Sequence, residues 1–123
     1  MLKVGVQSGG IFSGTDYDKN FGILAAHGFE CVDFNIDTFL GGEQIRKGEA
    51  NGFFDQSLEE LYTFFTPCRD AAVRHGIEFS QMHGPFPLWV DGRDEDMNPY
   101  VIEATKKCMA VAGFLGCPYI VVH

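Results

Sequence analysis

The sequence predicts an α/β fold in which a parallel sheet is wound in the manner of a (β/α) barrel. Three observations predict it. Four short apolar runs alternate with three helical stripes in the order βαβαβαβ, which implies parallel strands joined by right-handed crossovers. The units also repeat: "AHGFECVDFN" (26–35) and "RHGIEFSQMH" (74–83) share an H-G-x-E step from helix into strand, and "FLGCPYIVVH" (114–123) keeps the glycine and the strand. Repeated units of similar size suit a barrel better than a doubly wound sheet, which remains the alternative. Finally, nearly all the strong polar residues of the strands fall at their C-terminal ends, where ligands bind in parallel α/β architectures.

The elements follow in order. "LKVGV" (2–6) is short, apolar and bounded by Gln7, Ser8, Gly9 and Gly10, and reads as a buried strand. Thr15 or Asp16 caps a helix whose face is Tyr17, Phe21, Leu24 and Ala25, and Gly28 ends it. "ECVDFNI" (30–36) is the second strand. The stretch from Asp37 to Gln56 reads as a loop, long enough to suggest a functional role. Ser57 and Glu60 form a capping box before a face of Leu61, Phe65, Cys68 and Ala72, and Pro67 is expected to kink or split that helix. Gly76 closes it, and Ile77 to Met82 make the third strand. Asn98 and Pro99 read as a helix start with proline at its first position. Val101, Ala104, Thr105, Cys108, Ala112 and Leu115 give the third stripe, Gly116 closes it, and Tyr119 to Val122 are the fourth strand.

Composition bounds the rest. The 123 residues are 46% hydrophobic, enough for one core and hence a single domain, 1–123. Nine Lys+Arg against seventeen Asp+Glu leave a net charge of −8, which argues against nucleic acid as a partner. No run is long enough for a membrane span, and no signal peptide is visible. Cys31, Cys68, Cys108 and Cys117 form no C-x-x-C pair and sit in apolar runs, so they read as reduced core thiols of a cytoplasmic protein.

The candidate site residues are Gln7 and Ser8, then Asp33 and Asn35, then Gln81 and His83, then His123. In a barrel they would converge on one mouth. Imidazoles and carboxylates together bind a divalent metal or hold a sugar hydroxyl. Taken singly, His83 can anchor the proline-stiffened turn that follows it, and Asp33 can cap a turn. Trp89, on the loop after the third strand, is a candidate pocket wall. His27 and His75 sit at helix C-termini, where an imidazolium suits the dipole, and read as structural. "GVQSGGIFSG" matches neither G-x-G-x-x-G nor a P-loop and reads as a flexible loop near substrate. "DGRDED" (91–96) reads as a solvated acidic turn rather than a metal cluster. Phe53, Phe54, Phe64 and Phe65 read as packing aromatics.

Four phrases carry a family resemblance. "LKVGVQSG" and "HGFECVDFNI" resemble the first two strands of the xylose-isomerase-like TIM-barrel superfamily, which usually has Glu at the position of Asp33. "FSQMHGPFP" and "GCPYIVVH" resemble the third and fourth, each ending on the family's histidine. The resemblance spans nearly the whole chain but only strands one to four of eight, so it implies the N-terminal half of a TIM barrel. A whole barrel typically needs about 250 residues.

The superfamily includes sugar (phosphate) isomerases and epimerases, and type-IV apurinic endonucleases. The resemblance implies a small sugar or sugar-phosphate substrate and metal-assisted proton transfer next to a carbonyl. It implies substrate binding by His83 and His123, which Asp33, Gln7 and Trp89 join as substrate-binding candidates by their place at the strand ends and on the loop after the third strand. A divalent metal (Mn, Mg, Zn or Co) would contact His83 and His123. The family's Glu, Asp, His and Glu metal ligands come from later strands, so this chain is expected to be inactive alone. The alternatives are an apurinic endonuclease-like repair enzyme and a non-enzymatic α/β binding domain. A homodimer is expected to close an eight-stranded barrel across an inward face carrying Val4, Val6, Val32, Phe34, Phe79, Ile120 and Val122.

Overall fold

A computed structural model describes residues 1–123. Four parallel strands lie side by side in sequence order: β1 (Gly5–Gln7), β2 (Cys31–Asn35), β3 (Glu78–His83) and β4 (Ile120–Val121). The order never reverses, and reversal is what defines a doubly wound sheet. Successive right-handed crossovers without reversal put every connecting helix on one face of the sheet. Those helices are α1 (Tyr17–Ala26), α3 (Leu58–His75) and α4 (Met97–Leu115), with α1 against α3 and α3 against α4. A short helix, α2 (Gly42–Lys47), lies between β2 and α3. The arrangement is compatible with half of a barrel. No helix is long and apolar enough to cross a membrane.

The helix boundaries follow local chemistry. Asp16 caps α1 by accepting from the Lys19 amide. Ser57 and Glu60 form the reciprocal capping box of α3, and the left-handed Gly76 closes it. Pro67 lies inside α3, yet the helix runs unbroken through it, so the expected split does not occur. Its flanks pack into the core through Phe65 and Cys68, both fully buried, which holds the helix together across the missing hydrogen bond.

Asn98 is not a cap. Asp96 caps α4 by accepting from the Met97 amide, which places Pro99 two positions further in than expected. Asn98 is fully buried, accepts from the Val90 amide, and donates to the Val90 carbonyl and to Asp94. It therefore fastens the β3–α4 loop to its own helix. In the acidic turn before it, Asp94 accepts from Asn98 and Asp96 pairs with Arg93, while Asp91 and Glu95 are exposed. The 37–56 stretch is also more ordered than a loop. It contains 3₁₀ turns at Ile36–Phe39 and Phe53–Asp55 as well as α2, and Phe39 stacks on Phe53 with centroids 4.4 Å apart. Lys107 donates to the carbonyls of Phe54 and Gln56, tying that stretch to α4.

The core fills the space between sheet and helices. Phe34 of β2 meets Phe12, Phe65 and Phe79, edge-on or tilted, at 5.8–6.3 Å. Val32, Phe34, Phe79 and Met82 are all buried here. The expectation of an apolar inward face is therefore wrong. Val32, Phe34 and Phe79 point to the helices, Val4 is an exposed residue before β1, and Ile120 packs against the helix-side core. The opposite, uncovered face carries Gln7, Asp33, Asn35, Gln81, His83 and Val121, which pair in register across the sheet. A second copy would meet a polar surface there, not the apolar one expected.

An irregularity in β3 sets this division. Val32 pairs with Phe79, but the next residue, Asp33, pairs with Gln81, leaving Ser80 as the extra residue of a bulge. Strand side chains alternate faces, so one extra residue reverses the phase of everything after it. Phe79 and Met82 both reach the core because Ser80 intervenes. Gln81 and His83 reach the open face for the same reason. Ser80 Oγ donates to the Val32 carbonyl at 3.0 Å, on an exposed residue. Deleting Ser80 should keep the cooperative fold, because Phe79, Gln81 and Met82 would then alternate in, out and in without a bulge, whereas inserting one residue between Gln81 and Met82 should abolish it by turning Met82 outward. Ser80→Ala should cost only about 1 kcal/mol in a urea titration. An insertion variant that melts like the parent, or a Ser80 deletion that loses its cooperative melt, would contradict this reading.

Candidate functional site

The open face converges on Asp33. Its neighbours in β3 are Gln81, opposite it, and His83, two residues on. Asp33 Oδ2 accepts from Gln81 Nε2 at 2.8 Å, and Oδ1 accepts from His83 Nδ1 at 2.8 Å. One carboxylate thus orients two side chains of the next strand. The pair is partly buried, with side-chain exposures of 20% for His83 and 18% for Asp33. An ionised carboxylate only accepts, so the Asp33 bond places the proton of a neutral imidazole on Nδ1 and leaves the Nε2 lone pair free.

His123 completes the cluster. Its ring lies 5.6 Å from that of His83, with the planes 15° apart, and the Phe86 ring stands across it at 72° with centroids 5.0 Å apart. The backbone fixes this meeting. Gly84 donates to the Val121 carbonyl and Leu88 to the His123 carbonyl, so the β3–α4 loop is laced to the end of β4. The two histidines expected at one mouth are therefore on the same edge and in contact.

The other candidates separate into different roles. Gln7 is in register with Asp33, but it is exposed and its side chain makes no hydrogen bond. Ser8 and Asn35 bind each other: the Asn35 amide donates to Ser8 Oγ at 2.9 Å, and Asn35 Oδ1 accepts from the Gly9 amide at 3.0 Å. That pair pins the loop after β1. Trp89 is exposed, and none of the aromatic contacts at the site involves it. A cavity of about 290 Å³ opens beside the site, with Phe12, Tyr17, Phe34 and Phe39 among its walls under Ser8 and Asn35. Asp33 and His83 do not line it, so it is a neighbour of the cluster.

The remaining histidines and the cysteines are structural. His27 Nδ1 contacts the Ile23 carbonyl of its own helix. His75 does not serve its helix end; its Nε2 meets Asp18 at 2.9 Å, beside Arg74. Arg74 first, then His75, holds the Asp18 carboxyl below the usual carboxylate range. All four cysteines are unpaired and buried. Burial pushes the Cys68 and Cys108 thiols far up, which leaves them protonated and unreactive.

A metal would find too few donors here. Nowhere do three His, Cys, Asp or Glu side chains gather closely enough to hold an ion. His83 and His123 supply imidazoles, but both Asp33 oxygens already accept hydrogen bonds. The divalent cation implied for the family does not fit the residues of this chain alone. What the cluster can do is hydrogen-bond hydroxyls and exchange a proton through His83 Nε2.

Sequence reasoning singled out Asp33, Gln81, His83 and His123, but not Phe86 or Ser80. The signal for Ser80 is in the spacing: buried Ile77, Phe79 and Met82 break the alternation between the last two. Comparison with protein-family models finds no match, and comparison with curated proteins finds no matching relative.

Replacing Asp33 with Ala removes the acceptor of both Gln81 and His83. On a partly buried site this should cost about 1–2 kcal/mol in urea denaturation. It should also release His83 from its single ring orientation, read as averaged imidazole NMR shifts. A fixed His83 ring in Asp33→Ala would show that the turn, not the carboxylate, holds it.

Proposed function

We propose that this chain is the N-terminal, substrate-orienting half of a sugar (phosphate) isomerase or epimerase-like (β/α) barrel. The observation that carries the reading is the Asp33–His83 hydrogen bond at the C-terminal end of the sheet, with His123 against His83. A polyol presents vicinal hydroxyls, each both donor and acceptor. His83 Nε2 accepts a hydroxyl proton, and Asp33 stabilises the imidazolium that forms. Gln81 is already committed to Asp33, so its role is to hold that carboxylate in place. The apolar patches of the sugar ring meet Phe86, which is exposed beside His123.

Isomerisation of a ketose or epimerisation next to a carbonyl needs a proton removed from carbon and returned. The chain's own contribution is to bind the hydroxyls and to move the hydroxyl proton at His83. The carbon base and any metal carboxylates belong to strands that pair with the open edges of β1 and β4. A net charge of −8 disfavours the endonuclease reading, because a phosphate backbone needs a cationic track.

The test is an NMR titration with xylitol. The imidazole resonances of His83 and His123 should shift together and saturate at millimolar polyol. His83→Ala should weaken binding about tenfold while leaving the thermal melt cooperative. Supplied with Mn²⁺ and a ketose, the 123-residue chain should show no epimerisation above background. Histidine shifts that ignore xylitol would remove the support for a sugar site. Robust turnover by the chain alone would show that the active site is complete without further strands.

A further inference from the structure

Arg46 stands on α2, and its guanidinium carbon lies 5.9 Å from the centroid of the Phe86 ring. The same ring meets His123, which meets His83. Arg46, Phe86, His123, His83 and Asp33 therefore follow one another in contact along the C-terminal edge of the sheet. The position of Arg46 is braced. Gly42 sits so close to the Phe86 carbonyl that an added Cβ would come within 2.7 Å of it. Arg93 Nη2 donates to the Lys47 carbonyl at 2.9 Å, fastening the end of α2 to the β3–α4 loop.

Arg46 is also unspent. Among the nine lysines and arginines, Lys3, Lys47, Arg69, Arg74, Arg93 and Lys106 form ion pairs, and Lys107 is held by two carbonyls. That leaves Arg46 and Lys19, and Lys19 stands on α1. In a chain of net charge −8, Arg46 stands over an aromatic ring with no carboxylate partner of its own. Its five N–H donors match a planar or tetrahedral oxyanion.

We propose that Arg46 binds the anionic end, a phosphate or a carboxylate, of the polyol whose hydroxyls meet Asp33 and His83. This rests on the polyol reading and adds the substrate class: an acidic sugar rather than a neutral one. Arg46 discriminates between substrates; Asp33 and His83 engage the hydroxyls that all of them share.

The test compares glucitol, glucitol 6-phosphate, gluconate and inorganic phosphate on the 123-residue chain by NMR titration. Glucitol 6-phosphate should bind about tenfold or more tightly than glucitol, as one charge-assisted contact implies. In Arg46→Gln that preference should fall to within about twofold, and Arg46→Lys should restore part of it. A gain with gluconate as well assigns the handle to any oxyanion; a gain with the phosphate alone assigns it to a phosphoryl group. Arg46 is exposed, so an unchanged melt is expected of both variants. Equal affinity for glucitol and its phosphate in the parent chain, or a preference that survives Arg46→Gln, overturns the proposal while the polyol site stands. Shifts at Arg46 Nε with inorganic phosphate, without any response to glucitol, overturn the polyol reading and retain the anion seat. Silence from all four probes overturns both.

Discussion

One extra residue in β3 organises this molecule. Before Ser80 the strand sends Ile77 and Phe79 to the helices; after it, Met82 goes to the helices and Gln81 and His83 to the open face. Without the bulge the strict alternation of a strand would bury the amide of Gln81 among Phe34, Phe65 and Phe79, and expose Met82. The bulge thus serves packing and site together. Bulges recur next to active sites because they re-aim side chains without altering the strands around them.

Asp33 inherits the consequence. Facing away from the aromatic core, it has only the neighbouring strand to satisfy it, and the shifted register puts Gln81 and His83 within reach of its two oxygens. The loops above follow the same logic. Asn98, buried at the start of α4, grips Val90 at both its amide and its carbonyl, and that grip fixes the loop carrying Phe86. Arg93 and Gly42 then seat α2 against the same loop. Each connection after a strand is anchored by a side chain from the following helix or the neighbouring loop, so the edge carrying His83, His123, Phe86 and Arg46 is held from several directions.

Much of this was legible in the sequence. Helix ends followed from Asp16, the Ser57–Glu60 box, Gly76 and Gly116, because caps act through their nearest neighbours. The polar strand ends were legible because they interrupt apolar runs. The illegible features depend on partners distant in the chain. Val32 and Phe34 look the same whether they face helices or a barrel interior; the side is decided by pairing with a bulged β3. Asn98 looks like a cap because it precedes proline, but Asp96 takes that place and leaves Asn98 to bind Val90. Pro67 fails to break α3 because the residues around it are buried on both sides of the missing bond. The bulge itself left one trace, the gap between Phe79 and Met82, which periodicity counted over a whole strand averages away.

A partly buried carboxylate fixes the imidazole of His83, with Nδ1 protonated and Nε2 open to a ligand. Long-range ¹⁵N–¹H correlation of the imidazole nitrogens, recorded at alkaline pH, reads that state directly. A protonated Nδ1 and an unprotonated, pyridine-type Nε2, with the distinction lost in Asp33→Asn, is the predicted result. An Nε2-protonated ring, or rapid averaging of the two nitrogens in the parent protein, would contradict it.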